Sequence, residues 1–376
     1  MLTRPSAFAP PAEDQHWIDT VVELCAGFAE RAPQHDADSS LPLENLHALN
    51  ACGLDVACLP PPYGQGLSFR TIGRLLTEIA ATCPSTATLW LMHLGAARML
   101  VGQGTAESAA YFAGELRAGR RFSNALSEPT SGNLFLLPQQ HAEPAAGGWR
   151  LNGAKRFISG CEVADHFLVN VLVDVDGTAT PTFFGVSRDE TITFPPIWDA
   201  LGMRGTRSQL VTFDGTLLRA DRRCGPSDPN ETNLIAAGLA FLSLGIARAA
   251  VDAFSAHARG RFLPGVGDTV ASLQWVKFEA AELHVALRGA FLLAEQAMWL
   301  ADARDPQGTA AVEAKLAANE VAKRAAALGV KIGGASGYLA TSPIQRHFRD
   351  AQAGALMAYS VEVCSDLVGT WALAAS

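Results

Sequence analysis

The stretch Ala125–Asn133, ALSEPTSGN, runs from a short apolar segment into a turn containing Pro129 and Gly132. Such a turn frees backbone N–H groups and the Ser127 hydroxyl for a polar ligand, although an ordinary surface turn is written with the same residues. Gly333-Gly334 permits a backbone approach that a Cβ would block, and locally the pair reads equally well as a helix C-cap and its loop. Nine histidines show no HxxxH or HxH spacing, and seven cysteines form no CxxC pair, so a metal site has no support. No GxSxG or P-loop pattern occurs, which removes those serine-hydrolase and nucleotide-loop readings.

Apolar positions Trp17, Val21, Leu24, Cys25 and Phe28 recur at three- and four-residue steps, predicting a helix over about 13–32. Further helices are expected over 43–52, 71–81, 86–101 and 106–116. LPPPYGQG (59–66) breaks the pattern, because proline removes backbone donors. From about Arg120 the texture turns to strand. Asn152-Gly153 suits a tight hairpin turn, and Phe167, Val169, Val171, Val173 and Val175 alternate with Asn170, Asp174 and Asp176. Beyond the polar segment 226–233, four long helices are expected at 234–258, 269–303, 308–328 and 346–373, enough for a four-helix bundle. The expected fold is mostly α with a central β-domain: an N-terminal helical domain (1–120), an antiparallel β-barrel or sandwich (121–230) and a C-terminal four-helix bundle (231–376).

With 376 residues, 49% of them apolar and 18% charged, the chain has ample material for more than one core. The formal charge of −8 and the lack of a Lys/Arg block exclude nucleic acid and anionic lipid as expected partners. The odd cysteine count rules out a complete disulfide framework, and the thiols read as small core residues of a reducing compartment. The N-terminus lacks an apolar signal-peptide core, and the apolar run 234–246 is shorter than a membrane span. A cytoplasmic protein without a membrane partner is expected.

Over nearly its whole length, and in the family's domain order, the chain resembles the acyl-CoA dehydrogenase superfamily. LPPPYGQGLS, ALSEPTSGN, LNGAKRFISG, LGMRGTRSQLVTF, RGRF…Q and KIGGASGY…RHFRDA carry the likeness. The resemblance implies a bound FAD. Leu126 and Ser127 would face the isoalloxazine, with Gly132 in the same turn, and Asn133 would take the place of the usual phosphate-binding serine. Phe157 would stack on the flavin's far face, and Ser159 would hydrogen-bond N5, where a hydroxyl can polarise the accepting atom. Without the resemblance, Phe157 is an ordinary core residue on a strand. Arg259, Phe262 and Gln274 would reach the FAD of a neighbouring subunit, and Gly333-Gly334 would close over its ADP portion. A homodimer or homotetramer follows.

Members of this family desaturate an acyl thioester between Cα and Cβ: a carboxylate takes the Cα proton and a hydride passes to the flavin. The usual position of that glutamate, counted from Arg349-Asp350-Ala351, is Ala358, and the minority position near Ile235 is apolar. Glu362, one helical turn past Ala358, is the candidate base. Glu231 is the other nearby carboxylate, and both also read as surface acids or caps. The segment GPSDPNETN (225–233) lacks the family's Gly-rich stretch, so the thioester is expected on CoA or on an acyl or peptidyl carrier protein. Electrons would leave through a flavoprotein partner or oxygen. The first alternative is a flavin-dependent monooxygenase fed by a reductase, which FISG and the Thr206-x-Ser208 pair resemble. The second is a non-catalytic relative. His347 reads as structural.

Overall fold

The computed structural model describes residues 7–130, 135–226, 228, 230–305 and 308–374. Six helices come first: α1 (Gln15–Asp38), α2 (Leu43–Ala51), α3 (Leu54–Ala57), α4 (Phe69–Thr82), α5 (Pro84–Gln103) and α6 (Ala106–Arg117). Their starts follow from local chemistry. Ser68 caps α4 by accepting from Thr71 N, Thr105 caps α6 through Ser108 N, and Pro84 opens α5 where no N–H is needed.

Seven strands follow: β1 (Phe122–Ala125), β2 (Ala142–Ala145), β3 (Gly148–Ile158), β4 (His166–Val175), β5 (Thr178–Ser187), β6 (Ile192–Thr193) and β7 (Gln209–Arg219). They form two sheets, β1-β4-β5 and β2-β3-β7-β6. Every pairing is antiparallel except β1 with β4, which is parallel, so the wholly antiparallel expectation is corrected at one edge. The reason is topological: α6 delivers β1 from outside the β-meander, alongside β4. The hairpin turn also moves. β3 runs straight through Asn152-Gly153, opposite a bulge in β7 at Asp214-Gly215 (Gly215 φ 65), and the chain reverses at Ala146-Gly147 instead. Phe167, Val169, Val171 and Val173 fill the inter-sheet core as their alternation requires. Asn170, assigned by that alternation to a polar face, is buried too, because the outer face of β4 packs against the helices.

The C-terminal helices are α7 (Leu234–Gly260), α8 (Gln274–Asp302), α9 (Gly308–Tyr338), α10 (Pro343–Leu356) and α11 (Val361–Leu373); the small hairpin β8 (Phe262–Leu263) and β9 (Asp268–Thr269) links α7 to α8. Over 234–247 α7 is almost wholly apolar, and it sits at the centre, against α4, α5, α9 and α10. By length and composition it matches a membrane span, but 83% of its most apolar window is buried inside the protein. Two expectations are corrected here. Gly333-Gly334 does not form a loop before the last helix. Gly334 (φ 51, ψ −143) kinks α9, which continues to Tyr338. The last helix is not continuous either: it stops at Leu356, Ala358 adopts φ 51, and Ser360 caps a new helix through Val363 N.

Candidate active site

The end of β1 is held by two buried polar clusters. Asp55 accepts Trp90 Nε1 at 2.8 Å and Arg121 Nη1 at 2.9 Å, while His93 Nδ1 accepts the Phe122 N–H at 2.9 Å. Burial opposes ionisation of Asp55, but His93 and Arg121 outweigh it and keep the carboxyl well below its usual range. Past the strand, Lys155 Nζ donates to Glu128 Oε1 at 2.7 Å and to Asn170 O at 2.7 Å, and Glu128 accepts the Gln139 N–H at 3.0 Å. Lys155 and Glu128 are both fully buried. This clamp ties the SEP turn to β3 and β4, and Arg156 N donates to Ser127 O at 2.9 Å. Leu126 and Ser127 are thereby fixed beside the end of β3.

That end carries Phe157 and Ser159. Phe157 has φ 60 and is 55% exposed, unusual for a large aromatic in a strand. Arg156 lies over its ring at 5.1 Å and Trp198 meets it edge-on at 6.4 Å. Ser159 Oγ lies 2.9 Å from Ser208 Oγ, and Ser208 Oγ lies 2.9 Å from Thr206 Oγ1. Gly160 (φ 68) turns the chain away; a Cβ there would stand 2.7 Å from Leu89 Cδ2 of α5. Leu126, Ser127, Phe157 and Ser159 therefore come together as one shelf. An exposed aromatic face beside hydroxyls and a strand end fits a flat, partly polar ring system such as a flavin.

The other predicted residues lie elsewhere. Arg259, Phe262 and Gln274 are exposed around the β8–β9 hairpin. Gly333 is buried, and a Cβ there would stand 2.9 Å from Ile344 Cδ1, too close without a shift, whereas Gly334 is exposed. Gly132 and Asn133 lie outside the described residues. The loop Gly202–Ser208 is pinned to α10. Asp350 Oδ1 accepts the Met203 N–H at 2.7 Å, and Arg349 donates to Leu201 O and Asp36 Oδ1, both at 2.9 Å. Burial pushes the Asp350 carboxyl up to about 6. His347 is buried, which pushes its imidazole down to about 3.

Two cavities flank the segment before α7. One, of about 320 Å³, is mostly apolar, with Ala297, Leu300, Ala311, Tyr359 and Trp371 in its walls. The other, of about 430 Å³, is more polar and reaches Tyr63, Arg98 and Arg304. Glu231 and Thr232 line both. Among the described residues, Glu231 is the only carboxylate lining the apolar cavity. Glu362 lines neither. It is exposed in the first turn of α11, where its own backbone N–H and the Ser360 hydroxyl hold its carboxyl below the usual range. The one-turn spacing from Ala358 assumed an unbroken helix, and the break at 357–360 removes that relation. In the break the amides of Ala358 and Tyr359 donate to no acceptor among the described residues.

Glu128, Lys155 and Trp198 are site residues that no motif singles out. A signal existed for Lys155: it shares with Leu151 the inward face of a strand, and a lysine there needs an acid.

Family models for the N-terminal, middle and C-terminal domains of acyl-CoA dehydrogenases match residues 11–120, 123–216 and 231–372. The chain is 28% identical to the 3-sulfinopropanoyl-CoA desulfinase of Paraburkholderia xenovorans, over 86% of each protein. It is 27% identical to the human mitochondrial short-chain specific acyl-CoA dehydrogenase, over 88% of this chain and 84% of that one. Butyryl-CoA dehydrogenase from Megasphaera elsdenii has the same fold at TM-score 0.89 and 21% identity, covering 99% of this chain and 100% of its own. So does the prolyl acyl carrier protein oxidase AnaB, at TM-score 0.85 and 19% identity over 97% and 100%. The chain belongs to the acyl-CoA dehydrogenase family of flavoprotein oxidoreductases.

Proposed function

We propose that this protein oxidises a thioester-linked acyl group between Cα and Cβ with a tightly bound FAD, and that Glu231 is the base. The observation that carries the reading is the apolar cavity whose one lining carboxylate among the described residues is Glu231, bordered by Tyr359 in the break where the resemblance expects a glutamate. Leu126, Ser127 and Phe157 would hold the flavin ring, and Ser159 would be the hydroxyl that meets its central nitrogen. When bound, the flavin supplies the hydride acceptor.

The chain's own residues do the rest. The free amides of Ala358 and Tyr359 are two adjacent donors for a thioester carbonyl, and donation there makes the Cα proton more acidic. Glu231 takes that proton. Its carboxylate, on an exposed residue, makes no hydrogen bond or ion pair among the described residues, so no protein group among them competes with the substrate for it. The apolar walls exclude water from the acyl end. Arg98 and Arg304 line the polar cavity across the same Glu231–Thr232 wall, where a pantetheine arm, on CoA or on a carrier protein, would leave toward solvent. A flavoprotein partner or oxygen would take up the electrons.

The second reading, a monooxygenase supplied with reduced flavin, is favoured by one observation: Ala358 offers no carboxylate.

Anaerobic mixing of the flavin-loaded protein with CoA-, carrier- and pantetheine-linked acyl groups separates these readings. Bleaching of the flavin band without added reductant is expected. Glu231→Gln should slow it by about 10²–10⁴-fold with substrate binding retained, the range for loss of a general base. Glu362→Gln should leave it within about twofold, as for a surface acid. Product formed only from pre-reduced flavin and oxygen would establish the monooxygenase. No flavin uptake would leave a non-catalytic relative.

A further inference from the structure

We infer that Thr206 and Ser208 are positioning residues that lock Ser159 as a hydrogen-bond acceptor, so that the shelf favours the reduced, N5–H form of the flavin. The inference rests on the flavin reading above and concerns which redox form the site prefers.

A hydroxyl has one proton to donate and two lone pairs to accept with. Thr206 Oγ1 donates to Met203 O at 2.9 Å. Its proton being committed there, the 2.9 Å contact between Thr206 and Ser208 requires Ser208 to donate. The 2.9 Å contact between Ser208 and Ser159 then requires Ser159 to donate inward. The polarity of all three hydroxyls is thus set at the Met203 carbonyl. Ser159 is left with lone pairs only on its outer side.

The chain cannot be reset by water at its inner end. Thr206 is 2% exposed and Ser208 4%, while Ser159 alone is half-buried and reaches outward. The frame is held at several points. Ser123 Oγ donates to Ser159 O at 2.8 Å, and Gly160 N donates to Thr206 O at 3.0 Å. Met203 is anchored through its own N–H to Asp350. Reversal would need Thr206 to give up the Met203 carbonyl and leave it without that donor.

Oxidised flavin carries a lone pair at N5, whereas reduced flavin carries N5–H. An acceptor at Ser159 pairs with the second and opposes the first. The position a resemblance would credit with donating to N5 is therefore wired in the other direction.

The test is the midpoint potential of the bound flavin, with the dissociation constants of its two forms. Ser208→Ala frees the Ser159 proton to turn outward. Thr206→Val, nearly isosteric, lets Ser208 donate toward Ser159 and so reverses the chain. Each variant should lower the preference for reduced over oxidised flavin at least tenfold, which is about 30 mV for a two-electron couple. Ser159→Ala should abolish the effect of a second change at Ser208. A potential unmoved or raised in both Ser208→Ala and Thr206→Val overturns the wiring. If Ser159→Ala still moves the potential in that case, the flavin reading survives without it. If Ser159→Ala and Phe157→Ala both leave flavin binding unchanged, or the protein takes up no flavin, the reading fails and the wiring with it.

Discussion

Asp350 holds the loop that carries Thr206 and Ser208, and burial decides its charge. Its carboxyl rises from 3.8 to about 6, so the folded protein binds that proton more tightly than the unfolded chain. The stabilisation is complete below about pH 4 and is lost as pH rises through about 6, a change on the order of 3 kcal/mol. Asp350→Asn keeps an acceptor for Met203 N–H but no longer titrates. Denaturant unfolding between pH 4 and 7 should show the variant gaining on the wild type as pH rises; a gap independent of pH would contradict this assignment. At this scale the sequence was partly legible. Ser127, Phe157 and Ser159 could be named because their segments resemble a family and lie where strands end. Glu231 could not be ranked above Glu362, because that choice depended on a helix break at Ala358, a left-handed backbone position held by a residue with no such preference.

The strands β1, β3 and β4 meet at the Lys155–Glu128 pair, and the shelf depends on their alignment. Removing one charge strands the other in a dry interior. Glu128→Gln should therefore cost about 3–5 kcal/mol, while Lys155→Met combined with Glu128→Gln should recover much of it. A double-mutant cycle by equilibrium unfolding measures the coupling, and additive losses would show that the pair does not act as a unit. Helix positions were readable because capping residues and 3.6-residue periodicity are local. The β7 bulge opposite Asn152-Gly153 and the parallel pairing of β1 were not, since both are imposed by distant partners, β7 and β4. A favourable turn dipeptide yields when a long strand can keep its ladder.

At the scale of the whole molecule, the outer face of α8 leaves a row of apolar side chains uncovered. Phe278, Val285, Leu292 and Trp299 are 60%, 70%, 47% and 40% exposed and recur every seven residues, forming one stripe. With Phe262 exposed on the adjoining hairpin, this surface fits a second copy of the chain, which would also bring Arg259 and Gln274 to a neighbour's flavin. Sedimentation should give two or four chains per particle, and Phe278→Asp with Val285→Asp should yield monomers that hold flavin more weakly. Monomeric wild-type protein would contradict the stripe as an interface. The central claim is that the shelf of Leu126, Ser127, Phe157 and Ser159 holds an isoalloxazine. Titrating flavin-stripped protein with FAD, followed by quenching of flavin fluorescence, tests it most directly. The account predicts one flavin per chain, and an affinity at least about tenfold weaker in Phe157→Ala, as expected for loss of an aromatic stacking contact. Stoichiometric binding that is indifferent to Phe157→Ala and Ser159→Ala, or no binding at all, would contradict it.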